Sequence, residues 1–143
     1  MSAERLYTPD MLAAAVELAN YPPIETAPLH GEARSQTCGS TLAMDVVLDD
    51  DGRIERVGMT VRACAVGQAA AAVFARHAAG HMPDDIRHAH ECLSAWLEEQ
   101  GPAPQWPDMG LIAPARDYRG RHGAMLLPWK AALAALSSTT ADR

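Results

Sequence analysis

The clearest pattern along the chain is a change of period. Between Thr41 and Leu48, the apolar Leu42, Met44, Val46 and Leu48 alternate with Thr41, Ala43, Asp45 and Val47. Between Ile54 and Ala63, Val57, Met59, Val61 and Ala63 alternate with Arg56, Gly58, Thr60 and Arg62. A period of two is the mark of a strand with one buried face. The linking DDDGR carries Asp51-Gly52, a strong turn signal, so the two runs predict an antiparallel hairpin. Its aspartates lack the spaced ligands and closing glutamate of a calcium loop and read as a polar tip. At Cys64 the period changes. The alanine-rich stretch from there to about Ala79 predicts a helix, with Gly80 as its stop.

The flanks add three helices. YTPDMLAAAVELANYPP predicts a first helix with Thr8 as N-cap, Pro9 at its first position and Asp10 at its positive end, closed by Pro22 and Pro23. IETAPLHGEARSQTCGS has turn formers and no period, and reads as irregular and largely exposed. A further helix runs from about Pro83 to Gln100, with Ile86, Ala89, Leu93, Trp96 and Leu97 as its apolar stripe and Gly101 at its end. GPAPQWPDMG is a proline-rich loop. The last helix covers about Met125 to Leu136, because a proline such as Pro128 is best tolerated in a first turn. His122, Gly123 and Ala124 then lie at its mouth, and SSTTADR is a polar tail. The expectation is one α+β domain over residues 1–137, a small antiparallel sheet packed against about four helices, with a polar tail over 138–143.

Composition narrows the function. The chain has 143 residues, 48% of them apolar, which is enough for one cored domain. The net charge of -6, with no basic run, argues against nucleic acid as a partner. No apolar run is long enough for a membrane span, and the first residues lack the apolar core of a signal peptide, so the expected location is cytoplasmic. An odd count of three cysteines, Cys38, Cys64 and Cys92, argues against a disulfide framework.

The cysteines separate by position. Cys64 falls at a helix N-terminus two residues after Arg62, where exposed N–H groups and a cation favour a thiolate; its alternative is a small buried residue at the strand–helix junction. Cys38 sits beside Gly39 at the entry to the first hairpin strand. Cys38 and Cys64 are about equally far from the hairpin tip, so antiparallel pairing returns both to one end of the sheet. Two thiols there make a half-site for a soft metal. Cys92 lies on or beside the apolar stripe and reads as a packed free thiol. His77 and His81 read as a solvated pair at a helix end, and His88 and His90 point apart.

The stretch TCGSTLAMDVVLDDDGRIERVGMTVRACAVGQAAAAV resembles the NifU/IscU-type (SufU-like) iron–sulfur cluster assembly scaffolds. The shared features are Cys38-Gly39 opening a strand, Asp51-Gly52 in the turn and Ala63-Cys64-Ala65 opening a small-residue helix. The first helix and RGRHGAMLLPW resemble the family's two ends more loosely. The resemblance implies an IscU/NifU N-terminal-domain-like fold, with Cys38 and Cys64 matching the first two cysteine ligands. It departs from the family twice. Ser40 stands where the family has an aspartate, and Gly123 and Ala124 fill the region of the third cysteine. His122 is the nearby donor for that position, since imidazole suits zinc or iron.

The implied function is a scaffold or carrier, not a turnover enzyme. It would hold a transient iron–sulfur cluster, or zinc, at Cys38 and Cys64 with His122. A cysteine desulfurase would supply sulfur and acceptor proteins would take the cluster. The chain would act as a monomer or homo-oligomer. A second reading is a family member with a degenerate ligand set that binds metal or docks partners without assembling clusters. A third is a thiol enzyme using Cys64 and His122, for which no orienting acid or oxyanion hole is identifiable.

Overall fold

The computed structural model describes residues 7–138; residues 1–6 and the tail beyond 138 lie outside the described residues. Helix α1 (Pro9–Val16) starts as its sequence dictates, with the Thr8 hydroxyl accepting from Met11 N at 3.0 Å, and continues as a 3₁₀ turn over Glu17–Asn20. Strands β1 (Leu29–Arg34), β2 (Thr41–Leu48) and β3 (Ile54–Arg62) form one antiparallel sheet in the order β1-β2-β3. Helices α2 (Ala65–His77), α3 (Pro83–Leu97) and α4 (His122–Ser137) follow, with three short 3₁₀ turns between α3 and α4. Among the described residues the fold is of the expected α+β class, with four helices and a three-stranded antiparallel sheet.

The hairpin forms in the predicted register. Thr41 pairs with Arg62, Met44 with Met59 and Val46 with Val57, with one irregularity between Val47 and Leu48. Leu42, Met44 and Val46 are buried on the inner face. At the tip, Asp49 Oδ1 accepts from the backbone N–H groups of Asp51 and Arg53, both at 2.9 Å, and Gly52 takes a φ of +84°. The aspartates organise a turn, as their spacing implied.

The strand β1 corrects the sequence reading of an irregular exposed segment. Its inward positions are Leu29, Gly31 and Ala33, and two of those three side chains carry almost no apolar signal. The reason is the distance of α4. A Cβ built on Gly31 would lie 2.1 Å from Ala135 N, so the helix backbone rests directly on the strand. Only glycine permits that approach.

Helix α4 also differs from expectation. It begins at His122, three residues before Met125, and carries Pro128 in its interior. The missing N–H and the ring clash cost a helix roughly 3 kcal/mol. Burial of Met125, Leu127, Trp129, Ala131 and Ala132 against the sheet and α2 outweighs that cost.

Three further findings concern loops and helix ends. The proline-rich loop is not only a connector: its Trp106 is buried, stacks on Phe74 at 5.3 Å, meets Trp129 edge-on at 5.4 Å and donates to Val73 O at 3.0 Å. Helix α3 ends at Leu97, and the left-handed residue after it is Glu99, not Gly101. His77 and His81 are not a solvated pair. Each is half-buried, His77 on Asp108 at 2.7 Å and His81 stacked 4.8 Å from Trp106. No helix among the described residues is long and apolar enough to cross a membrane.

The Gly31 contact makes a test. Gly31→Ala puts a methyl group into the α4 backbone and lowers stability by about 1–3 kcal/mol, the usual range for overpacking a closed contact. Urea unfolding followed by circular dichroism reads this as a lower midpoint at unchanged slope. Gly120→Ala, where an added Cβ meets nothing within 4 Å, leaves the midpoint in place.

Candidate thiol site at the sheet end

Pairing of Thr41 with Arg62 fixes where the two thiols go. Cys38 lies three residues before Thr41 and Cys64 two after Arg62, so both leave the sheet at the same end. Cys64 is the N-cap of α2, with φ -65° and ψ 172°. Its sulfur makes no capping hydrogen bond and is free for other use. The first turn is tied down instead by Gln68, whose Nε2 donates to Ala63 O at 2.8 Å.

Cys38 rides on a closed loop. Ser35 N donates to Ser40 O and Gly39 N to Ser35 O, both at 2.8 Å, while Gly39 adopts φ +70°. Two buried hydroxyls flank the sulfur: Cys38 Sγ donates to Ser35 Oγ at 3.3 Å and lies 3.1 Å from Ser40 Oγ. Burial pushes the Cys38 thiol up. The Ser35 and Ser40 hydroxyls, the Ser40 backbone N–H and the Arg121 charge outweigh it and hold the thiol below its ordinary value. Ser40 thus serves the sulfur through a hydrogen bond, where an aspartate would have brought a charge.

The turn before α4 closes the site. Thr37 Oγ1 donates to Gly120 O at 3.1 Å, which latches the Cys38 loop to the 3₁₀ turn Arg119–Arg121. Arg121 bonds the Tyr7 hydroxyl at 3.3 Å. That bond leads the effects raising the Arg121 guanidinium above its ordinary value, and the charges of Cys64 and Cys38 both add to it. The same Arg121 charge helps to lower the Cys38 thiol. Residues 123 and 124 lie between the thiol loops. A Cβ on Gly123 would come 2.5 Å from Ser35 Oγ, and Ala124 is buried against Gly67 in the first turn of α2.

His122 stands beside this arrangement with one nitrogen committed. Its Nε2 lies 2.6 Å from Arg116 O, and since a carbonyl only accepts, Nε2 is the donor, so that in the neutral ring the lone pair is on Nδ1. Among the described residues no three His, Cys, Asp or Glu side chains converge closely enough to hold a metal ion. The structure thus brings the two thiol-bearing loops to one sheet end and leaves His122 outside a ready-made triad. Cys92 lies apart on α3, half-buried and 3.5 Å from His88 Nε2, not packed in the apolar stripe. Ser35 and Arg121 carry no sequence signal as site residues: one sits in a stretch without period, the other in a basic turn.

The same architecture recurs in solved structures. A nitrogen-fixing NifU-like protein (N-terminal) from Brucella abortus matches with a TM-score of 0.86 and 29% identity, over 98% of each chain. A proposed iron–sulfur cluster assembly scaffold protein for the SUF system from Fervidobacterium islandicum AW-1 matches with a TM-score of 0.81 and 19% identity, over 94% of this chain and 99% of that one. A hypothetical protein matches with a TM-score of 0.65 and 15% identity, over 89% and 96%. No protein-family model and no curated protein sequence matches the chain. The chain has the fold of the NifU-like N-terminal domain over nearly the whole of both chains, the α+β architecture that the hairpin-to-helix resemblance implied.

The hydroxyl pair on Cys38 makes the second test. Ser35→Ala removes a donor to the thiolate, so the Cys38 midpoint rises. At a pH below both midpoints, alkylation of Cys38 slows about tenfold, one pKa unit for one hydrogen bond to a charged group. Peptide mass spectrometry after iodoacetamide treatment across a pH series reads this, with Cys64 as internal reference. An unchanged Cys38 profile in the variant refutes the assignment.

Proposed function

We propose that this chain is a scaffold for iron–sulfur cluster assembly, with Cys38 and Cys64 as the thiolates that hold the cargo. The observation that carries the reading is the return of two thiols to one sheet end, one of them held below its ordinary value by buried hydroxyls. Thiolate, not thiol, is the form that takes iron. The full-length likeness to a NifU-like N-terminal domain, and the scaffold role named for the SUF-system neighbour, support the same reading.

His122 is the third donor in this proposal. A ligating histidine commonly gives its other ring N–H to a backbone carbonyl, which fixes its tautomer. His122 already makes that bond to Arg116 O, leaving Nδ1 free. Sulfur would come from a cysteine desulfurase and the cluster would leave for acceptor proteins. The role is carriage, not turnover, and free thiols fit a reducing compartment such as the cytoplasm.

A second reading has one observation in its favour. With Ser40 and Ala124 at two ligand positions and no convergent triad among the described residues, the fold would serve as a metal-binding or docking module without assembly.

Anaerobic reconstitution with ferrous iron and sulfide separates the two. The scaffold develops visible cluster absorbance after desalting, Cys38→Ala and Cys64→Ala each abolish it, and His122→Ala lowers its yield severalfold. Native protein that holds no cluster after desalting supports the docking module and ends the scaffold reading.

A further inference from the structure

A second pair of soft donors lies outside the thiol site. His88 and Cys92 are four residues apart on α3, a spacing that places side chains over one another on one helix face. His88 Nε2 and Cys92 Sγ are 3.5 Å apart. Both line a groove of about 770 Å³ between α3 and the proline-rich loop, walled by Pro102, Pro104 and Trp106. His88 is exposed and Cys92 half-buried, so the pair is open to the groove.

That separation suits a shared ion as well as the hydrogen bond the pair now makes. Zinc-type bonds of about 2.3 Å to sulfur and about 2.0 Å to nitrogen, at a tetrahedral angle, put the two ligand atoms about 3.5 Å apart. The two donor atoms therefore stand at the separation that one ion requires. Imidazole with thiolate is a donor set for borderline and soft ions, not for magnesium or calcium. We propose that His88 and Cys92 form a two-donor site for a zinc-class divalent metal ion, independent of Cys38 and Cys64.

The remaining positions belong to water or a small external donor. Asp85 and His81 share the groove but are committed elsewhere. Asp85 Oδ2 accepts from Met82 N at 2.8 Å, and His81 stacks on Trp106. No third protein donor converges on the pair among the described residues, which makes this an exchangeable site and not a closed structural one. Binding replaces the present sulfur–nitrogen contact. The Cys92 S–H proton goes to solvent, and two bonds form, one from the thiolate and one from the neutral Nε2.

The test uses the full chain and Zn²⁺ alone. Saturating Zn²⁺ slows iodoacetamide alkylation of Cys92 at least tenfold, read by peptide mass spectrometry, and His88→Ala removes the protection. A second measurement uses Co²⁺ with full-length Cys38→Ser/Cys64→Ser protein. A thiolate-to-cobalt charge-transfer band appears at one ion per chain, and Cys92→Ala or His88→Ala abolishes it. Unchanged alkylation of Cys92 under Zn²⁺ overturns the proposal, as does protection that persists in His88→Ala. Such results leave the pair as a hydrogen bond only. Because Cys92 is read separately from Cys38 and Cys64, either outcome is independent of the scaffold reading.

Discussion

Antiparallel pairing of β2 with β3 is the constraint on which the rest depends. The Asp-Gly tip sets the register, and the register sets which residues leave the sheet together. Cys38 and Cys64, 26 residues apart along the chain, leave the sheet at the same end because their strands have matched lengths. A slip of one residue would turn Leu42, Met44 and Val46 outward as well as displacing the thiols. The same buried side chains that stabilise the sheet therefore hold the site in place.

The site is polarised by groups brought from three segments. Ser35 and Ser40 come from the loop that carries Cys38, the N-terminus of α2 from beyond β3, and Arg121 from the turn before α4. Helix α4 connects them to the core. Its C-terminal half lies on β1 at Gly31, and its N-terminal end meets Ser35 at Gly123 and α2 at Ala124. A side chain at residue 123 would press on the hydroxyl that serves Cys38. Glycine there and serine at 35 are a matched pair: one leaves the space that the other uses.

What was readable in the sequence and what was not divides along a physical line. The hairpin and α2 were legible because their signals are local: alternation, an Asp-Gly turn, then an alanine run beginning at Cys64. Both thiols followed from counting residues back from the tip. Strand β1 was hidden because close helix packing selects glycine and alanine, which erase the apolar alternation. The start of α4 was misjudged because tertiary burial tolerates Pro128 where local hydrogen bonding alone would not. Ser35 acts on Cys38 within a loop that has no hydrophobic period to mark it, Arg121 acts through Tyr7, distant in sequence, and the groove beside His88 and Cys92 is formed by the proline-rich loop.

The central claim is that the Cys38 and Cys64 sulfurs stand within reach of a single atom. A trivalent arsenical tests it directly, because stable capture needs two thiols on one arsenic. Treatment of the full chain followed by intact-mass and peptide mass spectrometry should show one arsenic per chain bridging the peptides of Cys38 and Cys64, with capture lost in either single alanine variant. Modification that leaves the two peptides unlinked, or a bridge that uses Cys92 instead, contradicts the account.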